Sequence, residues 1–197
     1  MTRLQMLQWL LLAMLLLGAL LLAGCAATLV APPTPAEPRG VYVLDHGRHT
    51  SLLLTGSDAK LWRYAYGDWR WYVGFERSPG RAVGALFWPS SAALGRAALH
   101  GPAEIGILQP QVGSVIEAVL AFEAEGARVD HLLATLDALF EAQADAQHHS
   151  PELKLDVVEH PVPYTLTHNS NHVVAQWLEA LGFEVQGSPM TGRWRTR

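Results

Sequence analysis

Val41-Tyr42-Val43-Leu44-Asp45-His46-Gly47-Arg48-His49-Thr50-Ser51-Leu52-Leu53-Leu54 reads as two short β-type runs on either side of a polar turn, and Gly56-Ser57-Asp58 ends the second run. This reading puts His49 at the lip of a strand. Near the other end of the chain, Thr167-His168-Asn169-Ser170-Asn171-His172 opens an amphipathic helix from about Asn169 to Leu181. Val173, Val174, Trp177, Leu178 and Leu181 form its apolar face, and Gly182 is its stop. A strand pair in front and a terminal helix behind point to an α+β domain.

The intervening segments fill in that architecture. Trp62 to Tyr72 is dense in aromatics, and as an extended segment it puts Trp69 and Trp71 on one face and Arg70 and Tyr72 on the other. Ser90 to Leu99 reads as a short helix capped by Ser90 or Ser91. Ile105 to Leu108 and the alternation Ile116, Ala118, Leu120, Phe122 read as two further strands, with a helix as the rival for the second. Asp130 caps a long helix with Leu132, Leu133, Leu136, Leu139 and Phe140 at core spacing. Gln143 to Pro151 is polar and reads as a loop, and Leu155 to Val158 and Val162 to Leu166 are β-type pieces.

The N-terminus fixes the compartment. Arg3 precedes an uncharged apolar run from Trp9 to Ala23, and Leu22-Ala23-Gly24-Cys25 has the layout of a bacterial lipoprotein signal with its lipobox. Cys25 is the only cysteine of the 197 residues, and lipidation there accounts for it. The alternative is an uncleaved membrane span from Trp9 to Val30. Residues 1–24 are thus expected as a signal peptide, 25–39 as a lipidated cysteine and Pro-rich tether, and 40–197 as one domain. Ala31 to Pro38 reads as a stiff spacer lifting that domain off the membrane. Ala26 and Ala27 carry no acidic retention signal, which favours the periplasmic face of the outer membrane in a Gram-negative cell. A formal charge of −4 with scattered arginines gives no footprint for nucleic acid.

A helix N-terminus presents free amide donors and positive potential, the setting in which a nucleophile and an oxyanion are stabilised. Ser170 sits there, with His49 as candidate base and Asp68 as the carboxylate to orient it. A hydroxyl needs a base in direct contact, because the helix end alone cannot ionise it. Thr167, Asn169 and Ser170 can equally serve only as caps. His46, His49, His168 and His172 could bring imidazoles together, but no glutamate lies within the helical pair and the ligand spacing is weak, so neither metal nor cofactor is expected. His148, His149 and His160 read as loop and surface residues. The aromatic segment from Trp62 to Trp88 reads first as core, and second as a stacking wall for a sugar or peptidoglycan-like ligand, with Arg48, Arg70 and Arg81 along the cleft.

Taken together, the stretch from Val41 to Leu52, Tyr66-Gly67-Asp68-Trp69-Arg70-Trp71-Tyr72, Ala85-Leu86-Phe87-Trp88-Pro89 and His168-Asn169-Ser170-Asn171 resemble an uncharacterised bacterial family with the ordered motifs HGWHTG, GWGD, LFWP and NCNTW, some members of which are labelled urease-region hypothetical proteins. That family is similar to a circularly permuted papain-type fold of the NlpC/P60 group, a small antiparallel sheet packed with helices, in which the histidine strand precedes the cysteine helix. The resemblance implies that His49, Asp68 and Ser170 occupy the catalytic positions, with serine where the family has cysteine. Arg48, Ser51, His172 and Val173 also depart from the pattern. Loss of the thiolate removes its ion pair with histidine.

The resulting expectation is a lipid-anchored, degenerate thiol-hydrolase relative that binds a peptide or cell-wall-like ligand near His46, Arg48, Trp69, Asn169 and Asn171 without efficient turnover. An active serine hydrolase or acyltransferase using Ser170 and His49 is one alternative. A metal-binding or purely interacting lipoprotein is another.

Overall fold

In the computed structural model, residues 2–23, 26–74 and 88–197 are described. Cys25, Arg81, Leu86 and Phe87 lie outside them, so the lipidation expected at Cys25 is not addressed by the structure. The described chain is mixed α+β, built on two sheets and five helices.

The larger sheet has seven antiparallel strands, more than the small sheet expected. Its members are β2 (Pro38–Asp45), β3 (Thr50–Thr55), β4 (Leu61–Asp68), β5 (Ser90–Leu99), β6 (Ala118–Glu125), β7 (His148–Ser150) and β8 (Leu155–Tyr164), in the order β6-β2-β3-β4-β5-β8-β7. The strands β2 and β3 form the hairpin read from the sequence, with Leu44 opposite Ser51 and Asp45 opposite Thr50. One face carries α4 (Gly126–Glu141) and α5 (Ser170–Ala180). There Leu132, Leu136, Phe140, Val174, Trp177 and Leu178 pack on Val41, Val43, Leu52, Leu54, Tyr64 and Tyr66. The other face is covered in two parts: Leu108, Val112 and Ile116 lie on Leu44, Leu53, Leu61 and Leu99, and Tyr72, Leu153 and Leu155 pack with Ala65, Ala93 and Val157. Residues hidden on both faces explain why these strands read as continuous apolar runs.

Several segments fold differently from their local reading. Ser90 to Leu99 is a strand, held between β4 and β8, because pairing along both edges outweighs the helix preference of its alanines. Ile105–Leu108 is a single helical turn, α3, leading into a 3-10 turn at Gln109–Gln111. Trp69–Tyr72 is likewise a helical turn, α2, with Asp68 as its cap, rather than extended. Gly67 lets it fold back, since a Cβ there would stand 2.0 Å from the Tyr72 ring. The helix α4 begins at Gly126, so Asp130 is not its cap and instead pairs with Arg39 at 3.2 Å. The polar stretch after it holds a 3-10 turn, Ala144–Ala146, and the edge strand β7. The two β-type pieces after Leu155 are one strand.

The segment counted with the tether is the largest revision. Ala27–Val30 forms β1, central in a three-stranded sheet between β9 (Glu184–Gly187) and β10 (Trp194–Thr196). It runs antiparallel to β9 and parallel to β10. Ala27 and Leu29 are fully buried, and Leu29 joins the main core with Phe183. The folded unit therefore begins ahead of the proline-rich stretch.

Among the described side chains of the helix α1 (Arg3–Ala23), none belongs to these cores. Its side chains Met6, Leu7, Trp9 to Leu12 and Met14 to Leu16 are each at least half exposed. Among the described residues no helix is long and apolar enough to cross a membrane, and the side chains at 3, 4, 17 and 19–23 are outside that description.

Candidate functional site

The α5 end is built as the sequence suggested. Asn169 is the cap: its Oδ1 accepts from the backbone N–H of Asn171 at 3.0 Å and of His172 at 3.2 Å, and its Nδ2 donates to Leu166 O. A ring nitrogen of His172 adds a third contact to the same oxygen at 2.9 Å. Ser170 is the first helical residue, 5% exposed, and its hydroxyl makes no hydrogen bond to a described residue. At the far end Gly182, at φ +95°, stops the helix as expected.

Asn171 ties this end to the hairpin. The Thr50 hydroxyl donates to its Oδ1 at 3.0 Å, and its Nδ2 donates to Arg48 O at 3.1 Å and Met190 O at 3.4 Å. The backbone of the β2–β3 turn thus reaches the helix. The His49 imidazole does not bond to Ser170.

Alternation along β3 explains the separation. Thr50, Leu52 and Leu54 face α5, whereas Ser51 and Leu53 face the opposite side. His49 keeps the parity of Ser51, and its ring stacks on His46 with centroids 4.9 Å and planes 27° apart. His46 is itself fixed: Nδ1 donates to Val115 O at 2.8 Å, which leaves Nε2 to accept the Ser51 hydroxyl at 2.9 Å. Arg63 Nε then donates to Ser51 Oγ at 3.1 Å, and its Nη1 to Leu153 O at 3.3 Å.

This buried cluster decides the charge state of both histidines. Arg63 is 2% exposed and has no carboxylate partner among the described residues. Burial lowers its own pKa to about 10, so it stays charged at neutral pH. Burial first, and the Arg63 charge second, push His46 down to about 3 and His49 down to about 4. Both imidazoles are neutral under physiological conditions. Although Ser51 donates to a histidine, it is 1% exposed, so no substrate carbonyl reaches it. Nothing in the motif reading singled out Arg63, and it marked Ser51 only as a departure from the family pattern. The one available signal is the strand period that sets Leu61, Arg63 and Ala65 on the face away from α5.

The remaining candidates are placed as follows. Asp68 is not brought to His49: it caps α2, accepting from Trp71 N at 3.0 Å through Oδ1 and from the Ser90 hydroxyl through Oδ2. Trp69 packs edge-on against His148, centroids 5.3 Å apart, beside the core on the face away from α5. Arg48 is exposed. The side chains of His46, Asn169 and Asn171 are engaged in the internal bonds described above, so their polar groups are occupied by the fold rather than presented to a ligand. His148 and His149 are exposed as expected, within β7, and His149 meets Asp156 at 2.8 Å. His160 and His168 lie against Tyr66, ring centroids 5.0 and 5.3 Å away. The His168 Nε2 is buried without a partner. Among the described residues no group of three or more His, Cys, Asp or Glu is arranged to hold a metal ion.

A groove of about 660 Å³ runs where Pro32, Pro35 and Pro38 pass Tyr42, Thr55 and Phe122, and it includes none of the candidate residues. Comparison with known proteins finds no matching family, no matching curated protein and no matching solved structure.

Proposed function

We propose that the chain is a membrane-anchored envelope protein whose domain is a non-hydrolytic relative of permuted papain-type enzymes, binding a peptide or cell-wall-like ligand rather than turning it over. The lipid anchor on Cys25 and the outer-membrane, periplasm-facing location are part of this proposal. The four ordered motifs support the kinship, as does a histidine-bearing hairpin that precedes the helix with Ser170 at its start. The exposure of the apolar side chains described between Met6 and Leu16 in α1 supports removal or membrane insertion of the N-terminal segment.

The observation that carries the non-hydrolytic reading is the His49 ring: it stacks on His46 and makes no hydrogen bond to Ser170 or Asp68, while both oxygens of Asp68 are used locally. A serine without a base in contact keeps a hydroxyl pKa far above neutrality and is a poor nucleophile. The test is labelling by a fluorophosphonate probe together with hydrolysis of model esters and amides. Equal background rates for wild type and Ser170→Ala, with no labelling of Ser170, are expected. Labelling at Ser170, or a rate lost in the variant, would overturn the reading.

A further inference from the structure

Scattered in sequence, four arginines collect in the fold. The strand β10 is an edge of the three-stranded sheet, and its alternation turns Trp194 toward the main core and sets Arg193, Arg195 and Arg197, all exposed, on the outer side. The flanking positions hold this register, since Ala27 N donates to Arg193 O at 3.0 Å and Arg197 N to Leu29 O at 3.1 Å. Exposed Arg48 joins them from the hairpin, because Asn171 binds both Arg48 O and Met190 O, and a Cβ placed on Gly192 would stand 3.3 Å from Arg48 C and 3.4 Å from His49 N. None of these four forms an ion pair among the described residues, in contrast to Arg39, Lys60 and Arg96. Among the described residues, the carboxylate on the outer side of the same sheet is Glu184, across two strands on β9, where it accepts from Gln186 Nε2 at 2.8 Å. The Glu117 carboxylate lies against Gly47, next to Arg48.

The chain enters this sheet through its central strand, β1, at the end that lies beside Arg193. The helix α1 ends at Ala23 and β1 starts at Ala27, beside Arg193. At about 3.5 Å per residue, that connection spans at most about 14 Å. Acyl chains on Cys25 or the apolar helix itself would hold the bilayer surface within that distance.

Resting on the membrane-anchored reading above, we infer that the face formed by Arg48, Arg193, Arg195 and Arg197 docks on anionic phospholipid headgroups and lays this sheet on the bilayer. Lipid anchors are commonly reinforced by such basic patches, whose attraction falls off within a Debye length. The cap of α5 then faces the membrane rather than the open periplasm.

The test reconstitutes the full chain into vesicles of phosphatidylcholine alone and of phosphatidylcholine with phosphatidylglycerol, and follows hydrogen exchange across residues 188–197. Exchange at least about threefold slower on the anionic vesicles is expected, with the protection lost in high salt as the charges are screened. It is also lost in the triple variant Arg193→Gln, Arg195→Gln, Arg197→Gln, which retains Trp194 and reports its own folding elsewhere in the exchange map. Flotation on the neutral vesicles reads the anchor separately. A chain that floats but exchanges equally on both vesicle types refutes the docking face alone, and one that floats on neither refutes the anchor and the docking with it.

Discussion

His49 stacks on His46, ring centroids 4.9 Å apart, although its backbone lies beside the helix that begins with Ser170. The hairpin delivers the right segment to the helix and turns the imidazole to the other side of the sheet. Each expectation below follows from that arrangement or from the packing that enforces it.

Acid sensitivity is the first. An unfolded chain protonates its histidines near the ordinary pKa of 6.5, whereas folded His46 and His49 resist protonation until about pH 3 and 4. The unfolded state therefore binds more protons between those limits, and stability falls as pH drops from about 6.5 toward 4, at about 1.4 kcal/mol per pH unit for each histidine. Above pH 7 these two groups contribute no slope. Urea midpoints measured across that range check it, and His46→Gln should flatten the profile.

Arg63 should be separable from burial in its effect on both rings. Arg63→Met removes the charge while keeping the stem's volume, and raises the pKa of His46 and His49 toward, without reaching, the ordinary value. Histidine resonances followed by NMR titration report this directly. An unchanged titration would mean that burial alone sets both values.

Asn171 joins three segments through one buried amide, so Asn171→Ala should cost about 2–3 kcal/mol by leaving buried polar groups unpaired. Asn169→Ala removes the cap together with the contacts to the His172 ring and Leu166 O, all within neighbouring residues, and should cost less, about 1–2 kcal/mol. Chemical denaturation of the two variants side by side tests the ranking.

Gly67→Ala places a methyl 2.0 Å from the Tyr72 ring and should destabilise by about 2–3 kcal/mol through overpacking. Trimming the partner, Tyr72→Ala, should make the second substitution nearly silent. A double-mutant cycle with no coupling would show that the close approach is not what requires glycine.

The hairpin and the final helix were legible because turn residues, strand period and helix period agree there, and the cap at Asn169 follows from its side chain. Ser90 to Leu99 was not legible: its alanines favour helix locally, and only the neighbouring edges of β4 and β8 make it a strand. Ala27 to Val30 is too short to outweigh the targeting signal before it, and its partners come from the other end of the chain. At the candidate site, residue types marked Ser170, His49 and Asp68 but not their directions. The alternation that packs Leu52 and Leu54 against α5 was present in the sequence, and it already sends His49 the other way. Arg63 carries no motif, and its influence emerges only when the opposite face closes over it.

The separation of His49 from position 170 is tested most directly by a thiol placed there. In the Ser170→Cys variant on a Cys25→Ser background, thiolate absorbance is titrated with and without His49→Ala. Superimposable curves are predicted, because the imidazole does not touch that position. A thiol pKa that rises by about one unit or more when His49 is removed would reveal an ion pair and contradict the arrangement described.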